Sequence, residues 1–92
     1  MVPKRLRIAR ELADMSQEEL AIAVGLSEET GYSRMSHYEN GRHKPKFELV
    51  CRFAEVLNVP EGYFYTQDDS FADVMLKLYD GKRVQWKKRR LS

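Results

Sequence analysis

Residues 16–41, SQEELAIAVGLSEETGYSRMSHYENG, decide how this chain folds. Ser16 is a strong N-cap, because its side-chain oxygen can accept from the free amides of a first helical turn. Glu19, three residues on, completes a capping box. Leu20, Ala21 and Val24 follow at helical spacing. Gly25 stands where that helix must stop, since glycine tolerates the left-handed conformation common at helix C-termini. A second helix carries Arg34, Met35, Ser36, His37, Tyr38 and Glu39 and stops at Asn40-Gly41. Met35 and Tyr38, three apart, define its inward face and leave Arg34, Ser36 and His37 outward.

The segment between the helices, Ser27-Glu28-Glu29-Thr30-Gly31-Tyr32, admits two readings. Ser27 could cap a second helix lengthened by one turn, with Glu28 and Glu29 complementing its dipole. Alternatively the segment is a loop and the helix starts near Ser33. Gly31 favours the loop, because glycine inside a helix costs about 1 kcal/mol relative to alanine.

Two short helices hinged at a glycine, the second presenting polar side chains, form the helix-turn-helix arrangement that lays a helix in the DNA major groove. The residues resemble the lambda-repressor/Cro-like (XRE-type) helix-turn-helix family. Ser16-Gln17-Glu18-Glu19-Leu20-Ala21 matches the start of its first motif helix. Met35-Ser36-His37-Tyr38-Glu39-Asn40-Gly41, followed by Pro45, matches the end of its second. The likeness continues through Leu49, Ala54, Leu57 and Val59. It departs in one respect, a four-residue insert between Gly25 and Glu39.

The flanking sequence completes a small domain. Pro3 is placed to open a first helix striped by Leu6, Ile8, Ala9, Leu12 and Met15. Pro45 marks a fresh start, after which Phe47, Leu49, Val50, Phe53, Ala54, Val56 and Leu57 define a fourth helix ending before Asn58. A short fifth helix or turn follows over residues 60–65, carrying Tyr63, Phe64 and Tyr65. Residues 66–70 form a polar joint, and Phe71, Val74, Met75 and Leu78 stripe a sixth helix that Asp80-Gly81 should stop. Phe64, Tyr65 and Phe71 suit a core or dimer contact better than a base-stacking platform.

Charge is unevenly spread. Six of the sixteen basic residues and none of the fourteen acids fall in 82–92, so residues 1–81 hold ten cations against fourteen acids, a net −4. The overall +2 therefore says little about nucleic acid. The local pattern says more: between positions 34 and 46 stand Arg34, Arg42, Lys44 and Lys46 with His37 and His43, against Glu39 alone. The tail reads as a solvated end or as a phosphate-binding arm. With 33% charged and 42% hydrophobic residues in 92, the composition is that of one small globular domain. No apolar run approaches membrane-spanning length, and the basic N-terminus has no apolar stretch of a signal peptide behind it. Cys51 is alone, which fits a reducing cytoplasm. His37, His43 and Cys51 match no structural zinc spacing, and neither a nucleophile elbow nor a phosphate-cradling glycine loop occurs. No metal, cofactor or enzymatic activity is expected.

The resemblance implies an all-α fold. It consists of a five-helix lambda-repressor-like DNA-binding domain over residues 1–66, a C-terminal sixth helix over 67–80 that could serve a dimer contact, and a basic tail over 81–92. It implies base contacts from Tyr32, Ser33, Arg34, Ser36 and His37, and phosphate contacts from Ser16, Gln17, Asn40, Arg42 and Lys44. Arg10 and Glu39 match a family ion pair. The implied function is a cytoplasmic transcriptional repressor, bacterial or phage-encoded and associated with the nucleoid, bound as a homodimer to a palindromic site on double-stranded DNA. An antitoxin that also binds a toxin protein, or a protein-interaction adaptor that has lost DNA, are alternatives on the same fold.

Overall fold

The computed structural model describes residues 1–79; the expected stop at Asp80-Gly81 and the basic tail lie outside them. The described residues contain helices and no strand. These are α1 (Pro3–Leu12), α2 (Gln17–Ala23), α3 (Glu28–Glu39), α4 (Phe47–Leu57), a 3₁₀ helix (Glu61–Tyr65) and a final helix, α5, over residues 69–79. None of these is long and apolar enough to cross a membrane.

Local chemistry sets the helix ends. Pro3 occupies the first turn of α1, where its missing N–H costs nothing. At α2 the Ser16 hydroxyl accepts from the Glu19 amide (3.0 Å), while the Ser16 amide donates to Glu19 Oε1 (2.8 Å). That reciprocal pair holds the Glu19 carboxyl below the usual carboxylate range, chiefly through the backbone donor. Gly25, at φ +86°, ends α2 in a Schellman motif: Leu26 N–H donates to the Ala21 carbonyl (2.9 Å) and Gly25 N–H to that of Ile22 (3.0 Å). The same motif closes α3 at Gly41, φ +81°, where Arg42 N–H reaches the His37 carbonyl (2.9 Å).

The insert is helical, contrary to the loop that Gly31 favours on sequence. Ser27 caps α3, its hydroxyl accepting from Glu29 N–H (3.3 Å), and Gly31 N–H bonds the Ser27 carbonyl (2.6 Å). Gly31 is buried where α3 crosses α2, and a Cβ there would lie 2.9 Å from the Ala21 Cβ. Close helix approach, rather than a turn, is what requires the glycine. Packing against α2 outweighs the propensity cost of about 1 kcal/mol.

The core gathers Leu6, Leu20, Met35, Val50, Phe53, Tyr63 and Phe64, all fully buried, around the α2–α3 pair. Tyr38 meets Phe53 edge to face at 6.3 Å between centroids. Arg5, only 3% exposed, enters this core from α1. Its Nε donates to the Thr66 carbonyl (2.9 Å), and its Nη2 to the Gln67 carbonyl (3.0 Å) and Asp69 Oδ1 (2.9 Å). The guanidinium also lies over the Tyr63 ring, 5.6 Å from its centroid. Lys4 adds a second contact to Asp69 (2.8 Å), and Asp68 caps α5 by accepting from Phe71 N–H (2.8 Å). Residues 66–69 are thus a fastening of α5 to α1 and more than a polar joint.

With that fastening in place, α5 does not lie with its apolar stripe inward. Ala72 is fully buried and Leu76 packs on the core. Phe71, Val74 and Leu78 remain 56%, 43% and 64% exposed. Small Ala72 lets the helix lie close, and the larger residues are left on the outer side. Leu12, Phe47, Val56 and Tyr65, expected on inward stripes or in a cluster, are also exposed.

Candidate nucleic-acid interface

Helix α3 turns Gly31, Met35 and Tyr38 into the core, Gly31 against Ala21 of α2 and Tyr38 against Phe53 of α4, so its opposite side is free. Glu29, Ser33, Ser36 and Asn40, at spacings of four, three and four, form one outward ridge, with exposed Tyr32 and half-buried His37 on either side of it. Short polar side chains on a projecting helix are suited to hydrogen-bonding base edges.

The ridge is fixed by one carboxylate. Glu39, whose side chain is 6% exposed, accepts from Arg10 Nε (2.6 Å), Arg10 Nη2 (3.0 Å) and Gln17 Nε2 (3.1 Å). Arg10, 13% exposed, also donates from Nη1 to the Met15 carbonyl (2.8 Å). Hydrogen bonding to Glu39 raises the Arg10 pKa further above its high ordinary value, against the opposing effect of burial. One carboxylate therefore ties α1, the start of α2 and the end of α3 together. Gln17 Nε2 uses one of its two hydrogens in this network, and the Ser16 hydroxyl accepts in its cap at the start of α2.

After α3 the loop to α4 carries the exposed residues Asn40, Arg42, His43 and Lys44. Asn40 Oδ1 accepts from Arg42 N–H (2.9 Å), and the His37 and His43 rings meet edge to face at 4.6 Å. Arg34 leans toward this side: its Nη2 donates to the Tyr38 hydroxyl (2.8 Å), with the guanidinium carbon 5.8 Å from that ring's centroid. Arg34, Lys44, Lys46 and Arg52 line a groove of about 470 Å³ with Glu48 as its one acid. Arg52 is anchored there by the Val24 carbonyl (3.0 Å).

Sequence reasoning passed over Arg5 and Arg52. Each sits on a helix as an ordinary cation would. Only tertiary placement, against residues 61 and 28 positions away, gives it a task. Among the described residues no group of three or more His, Cys, Asp or Glu side chains is gathered as metal ligands.

The arrangement defines a small all-helical protein of the helix-turn-helix class. Residues 4–62 match the family model described as a helix-turn-helix domain, and the chain belongs to that family. Two curated relatives, from Sinorhizobium medicae (strain WSM419) and Rhizobium meliloti (strain 1021), are uncharacterized HTH-type transcriptional regulators. Each is 28% identical over 64 residues. The match takes in 70% of this chain and 43% of each of theirs, so it spans less than half of their length. The crystal structure of the transcriptional regulator BswR is similar throughout: TM-score 0.84 at 32% identity, covering 100% of this chain and 95% of that one.

Proposed function

We propose that this protein is a sequence-specific transcriptional regulator of double-stranded DNA, a repressor that lays α3 in the major groove and binds a palindromic operator as a dimer. The observation that carries the reading is the outward ridge of α3, with candidate phosphate holders at the α2 N-terminus and in the loop after α3. Tyr32, Ser33, Ser36 and His37, with Arg34 at the edge, read bases. The α2 N-terminus takes one phosphate strand through the Gln17 backbone amide and side chain, beside the Ser16 hydroxyl, while the Ser16 amide stays in its capping box. Asn40, Arg42 and Lys44 take the other, joined by the cations of the adjoining groove. Phosphate contacts set register and base contacts set preference.

One short helix touches few bases, so a two-fold dimer on half-sites about 10 bp apart, or a multiple of that, is the economical design. Its contact is the outer stripe of α5, Phe71, Val74 and Leu78, an exposed apolar row that a second copy would cover.

Fluorescence anisotropy on specific and random duplexes separates the roles. His37→Ala should cost about 1–3 kcal/mol on the specific site alone. Arg42→Ala or Lys44→Ala should weaken both duplexes and flatten the salt slope by about one unit for each phosphate no longer neutralised. Equal losses on both duplexes for all three variants would refute the assignment. For the dimer, Leu78→Lys should yield a monomer in sedimentation; an unchanged dimer would move the interface elsewhere.

A further inference from the structure

The extra turn at the start of α3 brings an acid onto the outward ridge. Glu29 lies four residues before Ser33 and seven before Ser36, and it is exposed. Its neighbour Glu28 falls on a different side, lining with Glu18 and Ile22 the groove between α2 and α3. Among the described residues the Glu29 carboxylate makes no ion pair, and its backbone N–H is held at the Ser27 cap.

On the function proposed above, this is the least expected residue for the position. The N-terminal residues of a major-groove helix are the ones that contact base edges. A carboxylate there faces a polyanion and accepts hydrogen bonds without donating any. Nearly every group DNA offers it is repulsive: the phosphates by charge, and N7 and O6 of guanine and O4 of thymine as fellow acceptors. The exocyclic amines are the exception. Cytosine N4 and adenine N6 are the donors of the major groove, but adenine's stands beside the N7 acceptor, which repels a carboxylate, so acidic side chains pair with cytosine N4.

We infer that Glu29 is a specificity-determining residue that reads a cytosine amine in the major groove and penalises other bases at that position. The reading rests on the proposed DNA binding and adds a base-reading position beyond the residues that match the family. Helix-dipole stabilisation alone would also favour an acid in this turn, but that effect reads no sequence.

The test is selection of bound duplexes from a random pool with the full chain and three variants, Glu29→Ala, Glu29→Gln and Glu28→Gln, each checked for helicity by circular dichroism. The parent chain should enrich a motif with cytosine at one fixed position. Glu29→Ala should lose about tenfold of the discrimination at that position only, while binding random duplex more tightly because a repelling charge is gone. Glu29→Gln should shift the position toward adenine, whose amine and N7 suit an amide. Glu28→Gln should leave the motif intact. If the parent enriches a motif and both Glu29 variants enrich the same motif with equal strength, the inference fails and the DNA-binding reading stands. If the parent enriches nothing, both fall together.

Discussion

Replacing Glu39 by glutamine probes the joint that holds α3 in place. The carboxylate is nearly buried and takes three N–H donors, two from a single guanidinium at 2.6 and 3.0 Å and one from Gln17 at 3.1 Å. Glutamine keeps one oxygen but turns an NH₂ toward groups that only donate. It also leaves the poorly exposed Arg10 charge without a counter-ion. Removing one partner of such a pair costs about 3–5 kcal/mol. At about 4–8 °C per kcal/mol for a domain of this size, the melting temperature should fall by at least roughly 12 °C. Circular dichroism at 222 nm reads the shift, and urea unfolding at an unchanged m-value checks that it is a stability change. A double replacement, Arg10→Met with Glu39→Leu, should recover much of the loss, since no charge is then stranded. A fall of less than about 2 °C for Glu39→Gln would refute the idea that this ion pair holds the three helices together.

Further outcomes follow from the same geometry. Gly31→Ala should lower stability by about 1–3 kcal/mol, because the new Cβ meets the Ala21 Cβ at 2.9 Å and overpacking outweighs the helix-propensity gain. Ala21→Gly in the same chain should restore part of it, and thermal melting of the pair checks both. Lys4 and Arg5 hold the Asp69 carboxyl below its ordinary value of 3.8, so its contribution is complete above that value and is lost as the pH falls through the depressed one. Melts between pH 6 and pH 2 should show a smaller acid-induced loss for Asp69→Asn than for the parent chain. Deleting residues 82–92 removes six cations from a chain otherwise net negative. Binding to duplex DNA at low salt should weaken and its salt slope become shallower, with the preferred sequence unchanged.

What the sequence discloses is what local chemistry decides. Ser16 with Glu19, Gly25, Gly41 and Pro3 fix helix ends within a few bonds of themselves, so their work shows in the order of residues. Met35 and Tyr38 likewise disclose the inward face of α3, and hence its polar ridge. Gly31 misleads because the feature that requires it, the Ala21 side chain, lies across a helix crossing ten residues away in sequence. The exposed stripe of α5 misleads for a related reason. An apolar row shows that something should cover it, but not whether the core or another molecule does. In the structure Arg5 fastens residues 66–69, Ala72 faces the core and that row lies outward. The groove that joins Arg34 to Arg52 depends on the packing of α4 against the end of α2, which no single helix pattern carries.

The proposed function stands on sequence-specific recognition of duplex DNA by α3, and a direct competition measures it. A labelled duplex carrying the sequence selected by the full chain is challenged, at near-physiological salt, with unlabelled duplex of the same length and scrambled order. Scrambled competitor should be needed at about 10³-fold or greater excess to displace the protein, and bound species should contain two chains per duplex. Displacement at equal concentrations of the two duplexes would show binding without reading, and would contradict recognition by α3.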